Sequence, residues 1–205
     1  MKREEKNQQT RRRIMDAALN EFAKQGYGAS SVNAICASED ISKGIIYHYF
    51  RTKDDLFLSC VNECFQLLTE YLQTHLQLKE SSMKERLEEY FVDRLAFFRE
   101  HPVYQRIFCE VIISPPDHLK EQIHKCRKEF DAFNIQILEQ LLESVSFCQS
   151  IAKEDVIETF QQFQDFINAR YQMDGADKLT FEKHEEKCRK ALHILLYGVI
   201  ERKRD

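Results

Sequence analysis

Only five glycines and three prolines occur in 205 residues, well under the roughly 12% that average proteins carry. A sheet-rich chain needs turn residues every ten or so positions, and this one lacks them. Nothing here forms the glycine-rich phosphate loop of a dinucleotide or P-loop fold. The expectation is therefore an all-α chain, whose few breakers mark where helices end.

Apolar periodicity fills the spaces between those breakers. With Thr10 as its expected N-cap, a first helix carries Ile14, Ala18 and Phe22 on one face and stops at Gly26. Ser30 and Ser31 open a short second helix that buries Val32 and Ile35, and Ser38-Glu39-Asp40 separates it from a third beginning near Ser42. Residues 53–78 follow as one long amphipathic helix with Leu56, Cys60, Cys64, Leu67 and Tyr71 on its stripe. Pro102 ends a helix over 83–100 and begins one reaching about Ile113. Pro116 is expected in the first turn of a helix reaching about Phe147, and the last two helices span 153–173 and about 180–203. The count is about nine helices: three short ones in an N-terminal unit, six longer ones behind it.

The net charge of −4 conceals a division. Residues 1–53 hold ten Lys/Arg against six Asp/Glu, a net of +4, while residues 54–205 carry −8. Such asymmetry suggests a basic binding module on an acidic body, so the expected domains are 1–53 and 54–205. Seven cysteines, an odd number without a C-x-x-C pair, read as reduced thiols. Cys60 and Cys64 share a helix face, but no histidine follows at ligand spacing, so they are expected to pack as small hydrophobes and no metal or cofactor is expected. Met1 to Arg13 is polar and no run of 18 apolar residues occurs, which fits a cytoplasmic protein without a membrane segment. The seven histidines are scattered, with no nucleophile pattern, so the chain does not read as an enzyme.

Function is concentrated in SVNAICASEDISKGIIYHYFRTKDDL, residues 31–56. Two short helices joined by a tight polar turn form a helix-turn-helix, whose second helix is sized for a major groove about 12 Å wide. Ser42 and Lys43 stand at the start of that helix, where side chains reach bases or phosphates. Gly44 permits close approach of the backbone to a partner, although a mid-helix glycine costs about 1 kcal/mol relative to alanine. Tyr47, His48 and Tyr49 are polar-tipped aromatics suited to phosphate bonds, Phe50 is expected to close the core of the three helices, and Lys53 opens the next helix beside them.

Ser42, Gly44, Tyr47, Phe50, Lys53 and Leu56 match the spacing S-x-G-x-x-Y-x-x-F-x-x-K-x-x-L. Ile14, Ala17, Phe22, Gly26 and Tyr27 fit the helix that precedes it. Over about residues 10–57 the chain thus resembles the DNA-binding domain of the tetracycline-repressor (TetR) family of transcriptional regulators. The resemblance implies phosphate contacts from Ser31, Ser42, Tyr47, Tyr49 and Lys53, and base-edge positions at Lys43, Gly44 and Ile45. Glu39-Asp40 stands where the family usually has Ala-Gly; aspartate tolerates the left-handed turn, at the cost of extra acid near DNA. Arg11, Arg12 and Arg13 are either further phosphate contacts or a solvated helix end.

For the remainder the resemblance is architectural. It implies a ligand-responsive regulator, typically a repressor, that binds a pseudo-palindromic operator as a homodimer and is released by a small-molecule effector. The alternative is a helical ligand- or protein-binding module with no role at DNA. The last two helices would form the dimer, through Phe160, Phe163, Ile167, Leu192, Leu195 and Val199. On a helical wheel Arg94 falls within an apolar stripe and needs an acid, Glu110 being one candidate, or an anionic effector. Arg170 lies similarly between Phe163 and Phe166. With Arg94, the residues Phe97, Tyr104, Phe108, Phe133 and Asn134 are candidates for lining the effector cavity.

Overall fold

The first helix begins well before Thr10. In the computed structural model, α1 spans Arg3–Ala29, and Thr10 Oγ1 donates to the carbonyl of Lys6 inside the helix rather than capping it. Glu4 and Glu5 lie in the first turn, where acids favour a helix start; the apolar face alone marked a later beginning. The structure describes residues 3–76, 82–143, 151–174 and 181–199.

Gly26 interrupts α1 as expected, with φ +75° and ψ 163°, a conformation that side chains with a Cβ rarely adopt. Next come α2 (Val32–Glu39), α3 (Lys43–Tyr49) and α4 (Lys53–His75). Asp40, at φ 50° and ψ 45°, ends α2, and the N–H of Ile41 reaches the carbonyl of Cys36 at 3.0 Å. This is the left-handed helix stop expected of glycine, made here by aspartate, with Ile35 and Ile41 buried around it. Ile14, Ala18, Phe22, Val32 and Ile35 are all buried, as is Phe50.

On α4 the buried stripe is broader than expected and shifted toward its end. Leu56, Phe57, Cys60, Val61, Cys64, Phe65, Leu68 and Leu72 are buried, whereas Leu67 and Tyr71 are half-buried. A helix wedged among several neighbours buries more than one narrow stripe. The later helices are α5 (Met83–Glu100), α6 (Pro102–Ile113), α7 (Lys120–Leu142), α8 (Lys153–Asp174) and α9 (Phe181–Val199). Pro116 precedes a 3₁₀ turn at Asp117–Leu119 instead of opening α7. The helix ends expected at Phe147 and Lys203 lie outside the described residues, as does Cys148. Among the described residues there are nine α-helices and no strand, and no helix is long and apolar enough to cross a membrane.

Packing groups the chain into two compact units, Met1–Leu67 with Phe98–Lys128, and Leu68–Phe97 with Glu129–Asp205. In the first, α1 packs on α2 and on α6, and α2 on α3. In the second, α8 packs on α9. The boundary expected after Lys53 falls at the start of α4, and α6 packs with the N-terminal helices.

Candidate nucleic-acid interface and effector site

One residue anchors α3. Ile46 is buried, flanked by buried Ile41 and Phe50, while Lys43, Gly44, Ile45, Tyr47 and His48 are exposed. Ile45 is 44% and Tyr47 46% exposed, although both have large apolar surfaces. Ser42 caps the helix, its hydroxyl accepting the N–H of Ile45 at 3.3 Å, and Ser31 caps α2 by accepting the N–H of Ala34 at 3.1 Å. A Cβ added at Gly44 would meet nothing within 4 Å, so packing within the chain does not require glycine there. Tyr49 is half-buried, edge-on to His48 with ring centroids 5.2 Å apart.

Lys53 is more deeply engaged than a phosphate contact requires. Its ammonium donates to the carbonyls of Tyr27 at 2.7 Å and Ser30 at 3.2 Å and lies 4.1 Å from the centre of the Tyr27 ring. It thereby fastens the end of α1 to the start of α4. An ammonium has three N–H groups, so this role leaves chemistry for a phosphate as well.

The arginine run is likewise tied to the fold. Arg11 lies over the Phe50 ring at 5.2 Å, Arg12 bridges Asp16 and Glu63, and Arg13 donates to the carbonyl of Glu39 at 3.0 Å. This last bond places a cation beside the acidic turn. Glu63 also accepts the Tyr104 hydroxyl, and with Asp16 it holds the Arg12 guanidinium above its ordinary pKa against the opposing effect of burial.

A polar cluster that no local pattern announced joins the end of α1, the start of α4, α6 and the 3₁₀ turn. The Tyr27 hydroxyl contacts Asp54 and lies 3.1 Å from His118 Nε2; burial, then Asp54, pushes its pKa up. The N–H of Tyr27, released by the turn at Gly26, donates to Glu110 Oε1 at 2.6 Å. A Cβ at Gly26 would sit 3.3 Å from that same oxygen. Glu110 therefore closes the kink and is not the partner of Arg94. Burial raises its pKa, against the lowering by the Tyr27 N–H and Lys53. A raised carboxyl binds protons more tightly in the folded state, so its contribution is present at low pH and is lost as pH rises through the raised value. Glu110→Gln keeps an oxygen acceptor, so its stability relative to wild type should be greater at pH 7 than at pH 4. Paired urea titrations measure this.

In the second unit Arg94 is buried and pairs with Glu185 on α9, Nη2 to Oε1 at 2.8 Å. The acidic partner is thus a residue 91 positions away, beyond any helical wheel. Tyr90 donates its hydroxyl proton to Asn134 Oδ1 at 2.6 Å and accepts from Arg94 Nη1 at 3.2 Å. Burial opposes the charge on Arg94, but Glu185 and Tyr90 outweigh it and its pKa is raised. Beside this cluster is a cavity of about 30 Å³ lined by Leu87, Tyr90, Phe91, Arg94, Asn134, Ile137, Leu138, Leu141, Phe160 and Leu192, space for about one water.

Of the expected effector residues, Arg94 and Asn134 meet at this cavity. Phe97 is buried against Tyr71, and Phe133 is buried without lining the cavity. Phe108 belongs to the core of the first unit, against Phe65 and Phe98. Tyr104 lies on an open groove of that unit, with Arg12, Asp16 and His101.

Phe160 and Leu192, expected at a dimer interface, are buried within their own unit at the cavity wall. Phe163 is 44% exposed, with Phe166 at 60% on the same helix and Ile194 at 71% on α9. The side chains of Ile167, Arg170, Leu195 and Val199 lie outside the described residues. No group of three or more His, Cys, Asp or Glu among the described residues is arranged to hold a metal. Burial pushes the thiols of Cys60, Cys64 and Cys126 above their ordinary value, and that of Cys188 up to about 12.

Similarity to known proteins is concentrated in the N-terminal helices. Residues 14–60 match the model of bacterial regulatory proteins, tetR family. Over 56 residues the chain is 38% identical to the HTH-type transcriptional regulator AcrR of Shigella flexneri, covering 27% of this chain and 26% of that one. The match thus spans about a quarter of that relative's length. The fold extends further. The transcriptional regulator FadR from Bacillus subtilis, solved in complex with stearoyl-CoA, aligns over 91% of this chain and 98% of its own, with TM-score 0.66 and 20% identity. A putative tetR family transcription regulator from Shewanella sp. PV-4 aligns over 94% and 99%, with TM-score 0.61 and 17% identity. Residues 14–60 thus match the N-terminal domain of the tetR family of bacterial regulatory proteins, and the helices behind them share the fold of these solved structures.

Proposed function

We propose that the chain is a ligand-responsive transcriptional regulator, a repressor that binds a pseudo-palindromic operator as a homodimer and is released by a small-molecule effector. The observation that carries this reading is α3 itself. A seven-residue helix held by one buried side chain, with isoleucine and tyrosine nearly half exposed, is hard to explain unless something covers it. A major groove accepts such a helix, and Ile45 suits thymine methyl groups better than guanine. Residues 1–53 would read DNA through Ser31, Ser42, Lys43, Gly44, Ile45, Tyr47, His48, Tyr49 and Lys53. Their net charge of +4 suits a polyanion, and the acidic remainder would serve effector binding and dimerisation.

Phe163, Phe166 and Ile194 supply exposed apolar surface on α8 and α9 for a two-fold interface. An effector preferring a dimer whose recognition helices are wrongly spaced would release DNA. Moving that balance from 1:99 to 99:1 needs about 5.5 kcal/mol of differential affinity.

Genomic fragments captured by the purified protein test the whole reading. Enrichment of one palindromic promoter sequence supports it, and the absence of any enriched sequence favours a helical binding module without a role at DNA. Lys53→Ala should weaken binding to all DNA by a similar factor and flatten the salt slope by about one unit. Affinities measured across a salt series check this, with unfolding curves recorded alongside because Lys53 also fastens α1.

A further inference from the structure

We infer that the second unit is a carboxylate-exchange site: an amphipathic ligand, an aliphatic body with one carboxylate, takes Arg94 from Glu185 and seats its chain in the adjoining cavity. This rests on the reading of that unit as an effector sensor and names the chemistry it would sense.

The polar end of the cavity specifies charge. Arg94 is the one cation among the described lining residues, its side chain 5% exposed. The Tyr90 hydroxyl gives its proton to Asn134 and so turns a lone pair toward the guanidinium. An anion is required there, because a buried guanidinium without one is costly. A cationic ligand would add a second positive charge, and an alcohol cannot replace the charge it displaces.

Glu185 fills the position incompletely. It is 1% exposed and bonded to Arg94 through Oε1, while its Oε2 is buried without a hydrogen-bond partner among the described residues. Guanidinium and carboxylate bind most strongly through two parallel bonds. The present pair is joined through one oxygen, leaving the other a buried, unmatched acceptor. Another carboxylate can therefore compete at equal charge. On displacement, Glu185 has His184 Nδ1 at 3.5 Å from Oε1 as a substitute partner.

The apolar end specifies the body of the ligand. Leu87, Phe91, Ile137, Leu138 and Leu141 form half of the described lining, with Phe160 from α8 and Leu192 from α9 closing it. At about 30 Å³ the cavity does not admit a chain until its walls part. Arg94–Glu185 ties α5 to α9, so the bond that the ligand replaces is also one that keeps the cavity shut.

Glu185→Gln removes the competitor and deprives Arg94 of that counter-charge. Its melting temperature should fall by about 10 °C. Millimolar octanoate should restore at least half of the loss, while octanol and octylamine at equal concentration should not. Octanoate should also bind this variant about tenfold or more tightly than wild type, and Arg94→Leu should abolish its binding. Rescue by octanol as effective as by octanoate, or no rescue, overturns the inference.

Where Glu185→Gln does not fold, the wild-type chain decides. Octanoate must displace an apolar fluorescent probe at about one-tenth the concentration of octanol or less, and equal displacement overturns the inference. Both readouts omit DNA. Failure here with an operator captured leaves the regulator reading standing, and octanoate binding with no captured sequence does the reverse.

Discussion

Gly44→Leu is expected to lower operator affinity about a hundredfold or more while leaving the fold intact. A Cβ at position 44 meets no atom of the chain within 4 Å, and leucine is the better helix former by about 0.8 kcal/mol. The free protein should therefore be unchanged or slightly more stable. What the leucine would strike is the DNA. A helix lifted from the groove floor loses base contacts worth about 1–3 kcal/mol each, and with several lost together binding falls toward its non-specific level. Equilibrium binding to the captured operator, with a thermal melt of the same preparation, measures both sides. Wild-type affinity in this variant would exclude groove insertion of α3 at Gly44.

Phe57→Ala should cost about 3–5 kcal/mol of stability. Phe57 is fully buried on α4, edge-on to Phe22 at 5.0 Å and tilted against Tyr27 at 4.8 Å. The ring thus joins the last full turns of α1 to the start of α4, in the region where Lys53 fastens the same two elements through backbone carbonyls. Removing it leaves a cavity between elements that other contacts hold apart, so collapse is limited. Urea unfolding followed by circular dichroism measures the loss. A cost below about 1 kcal/mol would mean that the site collapses freely, and that Phe22 and Tyr27 close the gap themselves.

The legible parts of this protein were those encoded over short distances. Ser31 and Ser42 cap helices as their positions suggested, because a capping hydroxyl reaches only the N–H two or three residues ahead. Gly26 breaks α1 and Asp40 takes the left-handed turn, because only a few residue types tolerate positive φ. The error at Thr10 has the same origin. Helix starts without an apolar face leave little pattern, and the polar turns from Arg3 continue a helix whose buried face begins only at Ile14.

The site was legible in kind but not in pairing. That Arg94 is buried follows from the wheel, and that a buried guanidinium needs an anion follows from electrostatics. Glu110 and Glu185 are chemically alike, and nothing in the spacing chooses between them. The choice came from packing, which gave Glu110 to the N–H freed at Gly26 and Glu185 to Arg94. Phe160 and Phe163 stand three positions apart on α8, yet one lines a cavity and the other is 44% exposed.

By itself, then, the sequence determined an all-α chain, the helix-turn-helix with its caps and turn, and that side chains such as Ile14, Ile35 and Arg94 had to leave water. Tertiary structure decided which partners they found. Caps, turns and periodicity act within about four residues along the backbone, whereas Tyr27 with His118 and Arg94 with Glu185 each meet across 91 positions. At that range burial sets the need for a partner, and only the packing of whole helices selects it.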